Sequence, residues 1–347
     1  MTIHVQRSGA TSRGVCEPEC PPHPVEPSRG QGRLLLSSLL ELVDAWPGRV
    51  RKRLLERTIR EFHAVSRVFA PFRHVRKVAF FGSARMQPGH IEYELANELA
   101  SRFVENDFMV ITGAGAGIMA AAQEGAGASN SFGLRILLPF HNPANDTIAG
   151  SSKIVEFEYY FTRKITFAWE SDAFIVFPGG LGTLDETFEI MTLMQTGKTP
   201  IVPVAMVERP GGRFWSSCQQ FLEQQMVQEG HLSPDELGLF TICSQPDQAL
   251  AHIKHFYSNH HSHLWQDDQL IIYIRNQLTS EAISDLNVRF ASLLRVGHLE
   301  QKRATYSHEK PMSANHYCIT LNPHQRRYGQ IRRLIDAIND AAVIPGP

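Results

Sequence analysis

Five short, continuous apolar runs punctuate this chain and restrict its architecture more than any other feature. They are Lys77-Val78-Ala79-Phe80-Phe81, Met109-Val110-Ile111-Thr112, Leu134 to Leu138, Ala173 to Phe177 and Ile201 to Val207. Runs of this length without polar alternation suit strands buried on both faces, the condition of a parallel sheet covered by helices. Longer amphipathic stretches separate them, such as the helix expected around Tyr93 to Val104. The alternation is a βαβ rhythm and predicts a doubly wound, Rossmann-like α/β sheet. A chain of 347 residues with 43% hydrophobic and 20% charged residues can bury the core such a sheet requires, and a collagen-like or mostly disordered chain is excluded.

Around this centre the chain reads as four parts. Residues 1–32, with Pro18, Pro21, Pro22, Pro24 and Pro27 and no apolar periodicity, read as a disordered tail. Residues 33–72 carry helical spacing at Leu35, Leu39 and Leu42 and again at Leu54, Leu55, Ile59, Phe62 and Val65, so two helices are expected, broken at Pro47-Gly48. The main α/β domain is assigned to 73–257. Residues 258–347 read as a small α+β appendage: a His-rich linker, helical periodicity from Leu270 to Leu294, a polar loop, a strand at Tyr317 to Leu321 and a helix through Ile338.

Charge and cysteine usage narrow the function classes. A formal net charge of -1 gives no global positive field for nucleic acid or an anionic membrane, so anion binding must be local. No stretch approaches the roughly 18 apolar residues of a membrane helix, and no signal peptide is evident, so a cytoplasmic location is expected. Five scattered cysteines do not form a disulfide framework, and Cys16 with Cys20 lacks a second ligand pair for a metal. The run His252, His255, His260, His261 and His263 lacks ordered acidic or Cys partners and reads as an exposed linker rather than a metal site. Arg326, Arg327, Arg332 and Arg333 read as a solvated helix face. Phe188, Ile190, Met191 and Met194 either pack a partner subunit or cover the sheet.

Chemistry concentrates in two glycine-rich loops that follow strands and open helices. The first is Thr112-Gly113-Ala114-Gly115-Ala116-Gly117-Ile118-Met119, and the second is Phe177-Pro178-Gly179-Gly180-Leu181-Gly182-Thr183-Leu184-Asp185-Glu186. Glycines admit sharp turns and close ligand approach, and unpaired amides at a helix start attract a phosphate. A dinucleotide site would need an acid near the end of the next strand, but Ser131-Phe132-Gly133-Leu134-Arg135 offers none, so NAD is set aside. Thr183 is expected as the helix N-cap, with Glu186 at capping-box spacing. Arg163, at the start of another helix, could clamp a phosphate or carboxylate.

The segment Pro178 to Glu186 resembles the PGGxGTxxE motif of the LOG family, often labelled lysine decarboxylase-like. Phe81-Gly82-Ser83-Ala84-Arg85 resembles that family's first strand-loop, Thr112 to Met119 its TGGGxGIM loop, Arg163-Lys164 its RK pair, and Met194-Gln195-Thr196-Gly197-Lys198 its following helix end. These blocks span roughly residues 75 to 255, in order. Ala114 departs from a usual glycine and Ala120 from a common glutamate, which bears on substrate choice more than on the reaction.

The resemblance implies hydrolysis of the N-glycosidic bond of a nucleoside 5'-monophosphate, AMP-like or a cytokinin ribotide, to free base and ribose 5-phosphate. Arg163 and Glu186 fall on the family's catalytic pair. Ser83, Gly113, Gly115, Gly117, Lys164, Gly179, Gly180, Gly182 and Thr183 are assigned to substrate and phosphate binding. No metal and no cofactor is expected; in particular, Lys164 and Lys198 lack the acidic partner that a pyridoxal phosphate Schiff base needs. The resemblance also implies a homodimer or higher assembly. A non-catalytic nucleotide-binding or carrier module on the same fold is the alternative.

Overall fold

The computed structural model describes residues 37–38, 40–42, 45, 48–139, 143–304, 317–324 and 326–344. The expected tail at 1–32, with Cys16 and Cys20, lies outside the described residues. The chain divides into two compact units, Met1–Lys52 and Arg53–Pro347. In the first, positions 37, 38, 40–42 and 45 are helical. Helix α1 (Arg49–Phe69) starts directly after Gly48.

The larger unit is built on a seven-stranded, wholly parallel sheet. Its strands are β1 (Arg76–Phe81), β2 (Phe108–Thr112), β3 (Ser131–Ile136), β4 (Ile154–Phe157), β5 (Ala173–Val176), β6 (Val204–Val207) and β7 (Phe240–Cys243). The order is β4-β3-β2-β1-β5-β6-β7. Helices α2 (Ile91–Glu105), α3 (Ile118–Ala126), α4 (Tyr160–Glu170), α5 (Leu181–Gln195), α6 (Phe214–Phe221) and α7 (Pro246–Phe256) intervene. Two apolar clusters form on the sheet. Ala79, Phe81, Ile111, Phe174 and Val176 face one and Val78, Phe80, Val110, Ala173 and Ile175 the other, as expected for strands covered on both sides. The sheet is thus the doubly wound α/β architecture that the apolar runs predict.

Several local expectations are corrected. Leu270 to Leu294 is not one helix: β9 (Gln269–Ile274) precedes α8 (Ser280–Arg289). The expected polar loop contains β10 (Leu294–Arg303), and the His-rich linker is β8 (His260–Gln266), with His260, His261 and His263 buried. With β11 (Tyr317–Pro323) they make a four-stranded antiparallel sheet, order β10-β11-β9-β8, packed with α9 (Tyr328–Asp340). Its apolar cluster includes Ile201 and Phe256, so the appendage shares its core with the parallel-sheet domain rather than closing on itself. Arg332 is buried, not solvated: its guanidinium lies 4.6 Å over the Phe256 ring and pairs with Asp336. Ile190 and Met194 are buried against the sheet, and Phe188 and Met191 pack beside them half-buried.

Candidate active site

The topology decides where a ligand can enter. From β1 the chain winds through β2 to β4 on one side, and it returns with β5, hydrogen-bonded to β1, to wind through β6 and β7 on the other. Loops leaving the carboxyl ends of β1 and β5 therefore diverge and leave a crevice between them, the usual ligand position in such sheets. A cavity of about 680 Å³ occupies it, lined by Ser83, Arg85, Gly113, Met119, Tyr160, Arg163, Gly180, Gly182, Thr183 and Glu186 among others.

Arg163 and Glu186 meet at the floor of this crevice as an ion pair, one from α4 and the other from α5. Arg163 is only 9% exposed, and its guanidinium lies between the Tyr160 ring, 5.3 Å from the centroid, and the Phe167 ring, at 5.7 Å. Its Nε is buried without a hydrogen-bond partner. Burial pushes the Glu186 carboxyl above its ordinary value, and the Arg163 charge opposes that shift without cancelling it. The result is a desolvated carboxylate held by one cation and facing a cavity.

The start of α4 is fixed from outside. Its N-cap, Tyr159, contributes no side-chain hydrogen bond. The buried Glu61 of α1 takes this part instead: its carboxylate accepts from the Glu158 amide at 2.7 Å and from the Thr162 hydroxyl. Arg57 lies against both Glu61 and Glu158, at 3.6 and 3.2 Å. A carboxylate at a helix amino end is favoured by the helix dipole, and here it anchors the turn that carries Arg163.

The two glycine loops are built differently. In the first, the Thr112 hydroxyl accepts from the Ala114 amide at 2.9 Å, and the Asn145 side chain donates to the Gly115 carbonyl at 2.9 Å and to Gln123 at 2.7 Å. Gly117 has φ of +70°, and a Cβ there would stand 2.2 Å from the Ser83 carbonyl oxygen. Only glycine lets this loop pass the loop after β1, where the Ile118 amide donates to Ser83 O at 3.1 Å. In the second loop, Gly180 and Gly182 have nothing within 4 Å of a notional Cβ, so their backbone faces open space. The first-turn amides of α5 lack intrahelical acceptors, and this open backbone leaves room for an oxyanion beside them.

The sequence-predicted residues separate accordingly. Ser83, Gly113, Gly180, Gly182, Thr183, Arg163 and Glu186 line the one cavity; Gly115, Gly117, Gly179 and Lys164 are not among its lining. The Lys164 ammonium turns to Asp185 and Glu189, at 2.9 and 3.0 Å. Burial works against its charge, but those two hydrogen bonds outweigh it and raise its pKa. An amine held protonated in this way is poorly suited to Schiff-base formation. The expected capping box is also corrected: the N-cap is Gly180 without a side-chain cap, Thr183 lies inside the first turn with its side chain against Gly179, and Glu186 is committed to Arg163. Tyr160 has no legible signal as a site residue, since a single side chain outside the motifs carries no spacing; Arg85 and Met119 stand inside motif blocks that the sequence shows, without a role of their own assigned there.

No helix among the described residues is long and apolar enough to cross a membrane, and no group of three or more His, Cys, Asp or Glu side chains among them is arranged to hold a metal ion.

A family model described as possible lysine decarboxylase matches residues 117–253. Cytokinin riboside 5'-monophosphate phosphoribohydrolase LOG7 of Arabidopsis thaliana is 30% identical over 169 residues, covering 47% of this chain and 73% of that protein. LOG3 of the same plant is 30% identical over 145 residues, covering 41% and 62%. The probable enzyme LOGL3 of Oryza sativa subsp. japonica is 42% identical over 72 residues, covering 21% and 32%. The chain thus spans less than two thirds of the length of the latter two. Among solved structures, the molybdenum cofactor binding protein of Rippkaea orientalis aligns over 52% of this chain and 96% of its own, at 18% identity and a TM-score of 0.38. With the glycine loops, the Arg163-Lys164 pair and Glu186 in place and LOG7 matched over most of its length, this chain belongs to the LOG, or lysine decarboxylase-like, family.

Proposed function

We propose that this chain is a nucleoside 5'-monophosphate phosphoribohydrolase, acting on AMP-like nucleotides or cytokinin ribotides. The observation that carries the reading is the ion pair between buried Arg163 and half-buried Glu186, in a crevice whose rim includes the open start of α5. The relatives named as cytokinin riboside 5'-monophosphate phosphoribohydrolases support the substrate class.

Cleaving the bond between C1' and the base nitrogen develops positive charge on the ribose ring. A carboxylate fixed in a desolvated cavity stabilises that charge more than bulk water does, because it does not reorganise as the charge forms. Glu186 has this role and orients the attacking water. The water's oxygen bonds to C1' as the C1'–N bond breaks, and one water proton ends on the departing base. Arg163 opposes the rise that burial imposes on the Glu186 carboxyl and fixes its orientation. The 5'-phosphate sits at the open amides of Gly180 and Gly182, so binding energy at the unreacting end of the substrate positions the sugar.

Incubating the full chain with a panel of nucleoside monophosphates, and separating products by chromatography, tests this reading. Free base and ribose 5-phosphate in equal amounts from at least one substrate are expected. Stoichiometric binding with no base released from any of them would instead favour the non-catalytic carrier.

A further inference from the structure

Ahead of the first strand of the parallel sheet, α1 buries a carboxylate that the glycosidic cleavage does not use. Glu61 is 3% exposed and lies outside the matched family segment, 117–253. A buried carboxylate is kept only where it is paired or hydrogen-bonded, so its partners define its work. They are the Glu158 amide, at 2.7 Å, and the Thr162 hydroxyl, both at the amino end of α4.

Nothing within α4 replaces this contact. Its first turn carries no acidic residue, and its N-cap gives no side-chain hydrogen bond. The nearby Glu158 carboxylate is turned away to Arg53 and Arg57, at 3.0 and 3.2 Å. The Arg163 amide reaches the Tyr159 carbonyl only at 3.5 Å, beyond the usual hydrogen-bond range. The turn that Glu61 holds carries two side chains of the crevice lining, Tyr160 and Arg163. Helix α1 has its own anchors: Val65 and Phe69 are buried in the core, and the Phe69 ring stacks on Phe132 at 4.4 Å. It is therefore a support docked independently of Glu61, and Glu61 is the point at which it grips the turn.

We propose, resting on the hydrolase reading, that Glu61 is a positioning residue: from α1 it sets the first turn of α4 so that the Arg163 guanidinium meets the Glu186 carboxylate in the crevice. Displacing a group by about 1 Å can cost about a hundredfold in rate. The contact therefore serves turnover, while nucleotide binding at the start of α5 does not pass through it.

Two variants of the full chain separate the acceptor oxygens from the bulk of the side chain. Glu61→Met keeps an unbranched chain without an oxygen. Glu61→Gln keeps an acceptor for the Glu158 amide, and its Nε2 donates to the Thr162 hydroxyl, whose proton turns to the Tyr159 carbonyl at 2.9 Å. In Glu61→Met, kcat for base release should fall about ten- to a hundredfold with KM within about threefold, and Glu61→Gln should restore kcat to within about threefold of wild type. The acid limb of log kcat/KM should also move to higher pH in Glu61→Met. Burial raises the Glu186 carboxyl, Arg163 and Lys164 of α4 lower it, and Asp185 of its own helix raises it, so withdrawing Arg163 leaves the rise less opposed. An inactive fraction of protein would lower kcat without moving that limb. Thr162→Val, which breaks the same contact from the α4 side, should act in the same direction and serves where Glu61→Met does not fold. Modification by phenylglyoxal, mapped by peptide mass spectrometry, reads Arg163 without turnover. Arg163, 9% exposed, should react faster in Glu61→Met than in wild type or Glu61→Gln, while Arg332 of α9, 2% exposed, keeps its rate. Wild-type protein that releases no base from any nucleotide would remove the hydrolase reading, and the labelling would still decide the Glu61 contact. Equal Arg163 labelling in Glu61→Met and wild type, equal acceleration at Arg163 and Arg332, or a Glu61→Gln protein as impaired as Glu61→Met would overturn the proposal.

Discussion

The two glycine loops look alike in the sequence and do different work. The loop after β2 is closed: Thr112 and Asn145 satisfy its backbone from within, and Gly117 is used to pass the Ser83 carbonyl. The loop after β5 is open: Gly180 and Gly182 face empty space beside Glu186 and Arg163. Gly117 in the first is a packing residue, and Gly180 and Gly182 in the second are access residues. A motif match cannot tell these apart, because both uses call for a missing Cβ.

The sharpest way to break this contrast is to add a Cβ to each loop. Gly117→Ala should cost at least about 3 kcal/mol in denaturant unfolding, since the methyl meets backbone and the residue keeps a positive φ. Gly182→Ala should leave stability within about 1 kcal/mol, or raise it, alanine being the better helix former. It should instead raise KM about tenfold, if crowding displaces a phosphate from one amide. Equal destabilisation by the two substitutions would remove the distinction.

Titration sharpens the same comparison, because only the second loop leads into a helix carrying a buried acid. Activity that needs ionised Glu186 should fall on acidification with an apparent pKa above the ordinary 4.5, the direction in which burial moves this group. The stability consequence has the opposite sense. A carboxyl raised in the folded state favours folding below its unfolded pKa, and that contribution is lost as pH rises through the folded value. An acid limb in the log kcat/KM profile centred at or below 4.5 would contradict the assigned role. The smallest effect belongs to Ala114, which adopts φ of +60°. Ala114→Gly relieves a left-handed alanine but loses a buried methyl and adds freedom to the unfolded chain, so its unfolding free energy should stay within about 1 kcal/mol of wild type.

How far the sequence could be read follows the same physics. Central strands are legible because burial on both faces leaves a continuous apolar stretch, as at residues 78–81 of β1 and throughout β5. The edge strands β4 and β7 are not; Ile154-Val155-Glu156-Phe157 is four residues long and broken by an exposed Glu156, too short a segment to give either an unbroken apolar run or a clear alternation. Leu270 to Ile274 passed for helix because a short apolar run fits either period. The histidines of β8 mislead because their type is polar, yet His260 and His263 hydrogen-bond each other and His263 accepts from a backbone amide in the interior. In the crevice, Arg163 and Glu186 were legible through the family motif and fall together. Lys164 was carried along by adjacency, but successive residues on a helix point about 100° apart, and it faces Asp185 and Glu189 instead.

Exchange of a single oxygen for nitrogen at Glu186 probes the account most directly. In Glu186→Gln the side-chain shape and the fold are kept while the charge opposite the ribose is removed. Base release from the best nucleoside monophosphate should fall by about 10²- to 10³-fold, the scale for losing one preorganised electrostatic contact, with nucleotide affinity within a few-fold of wild type. Undiminished base release by a folded Glu186→Gln protein would show that the carboxylate does not carry the reaction.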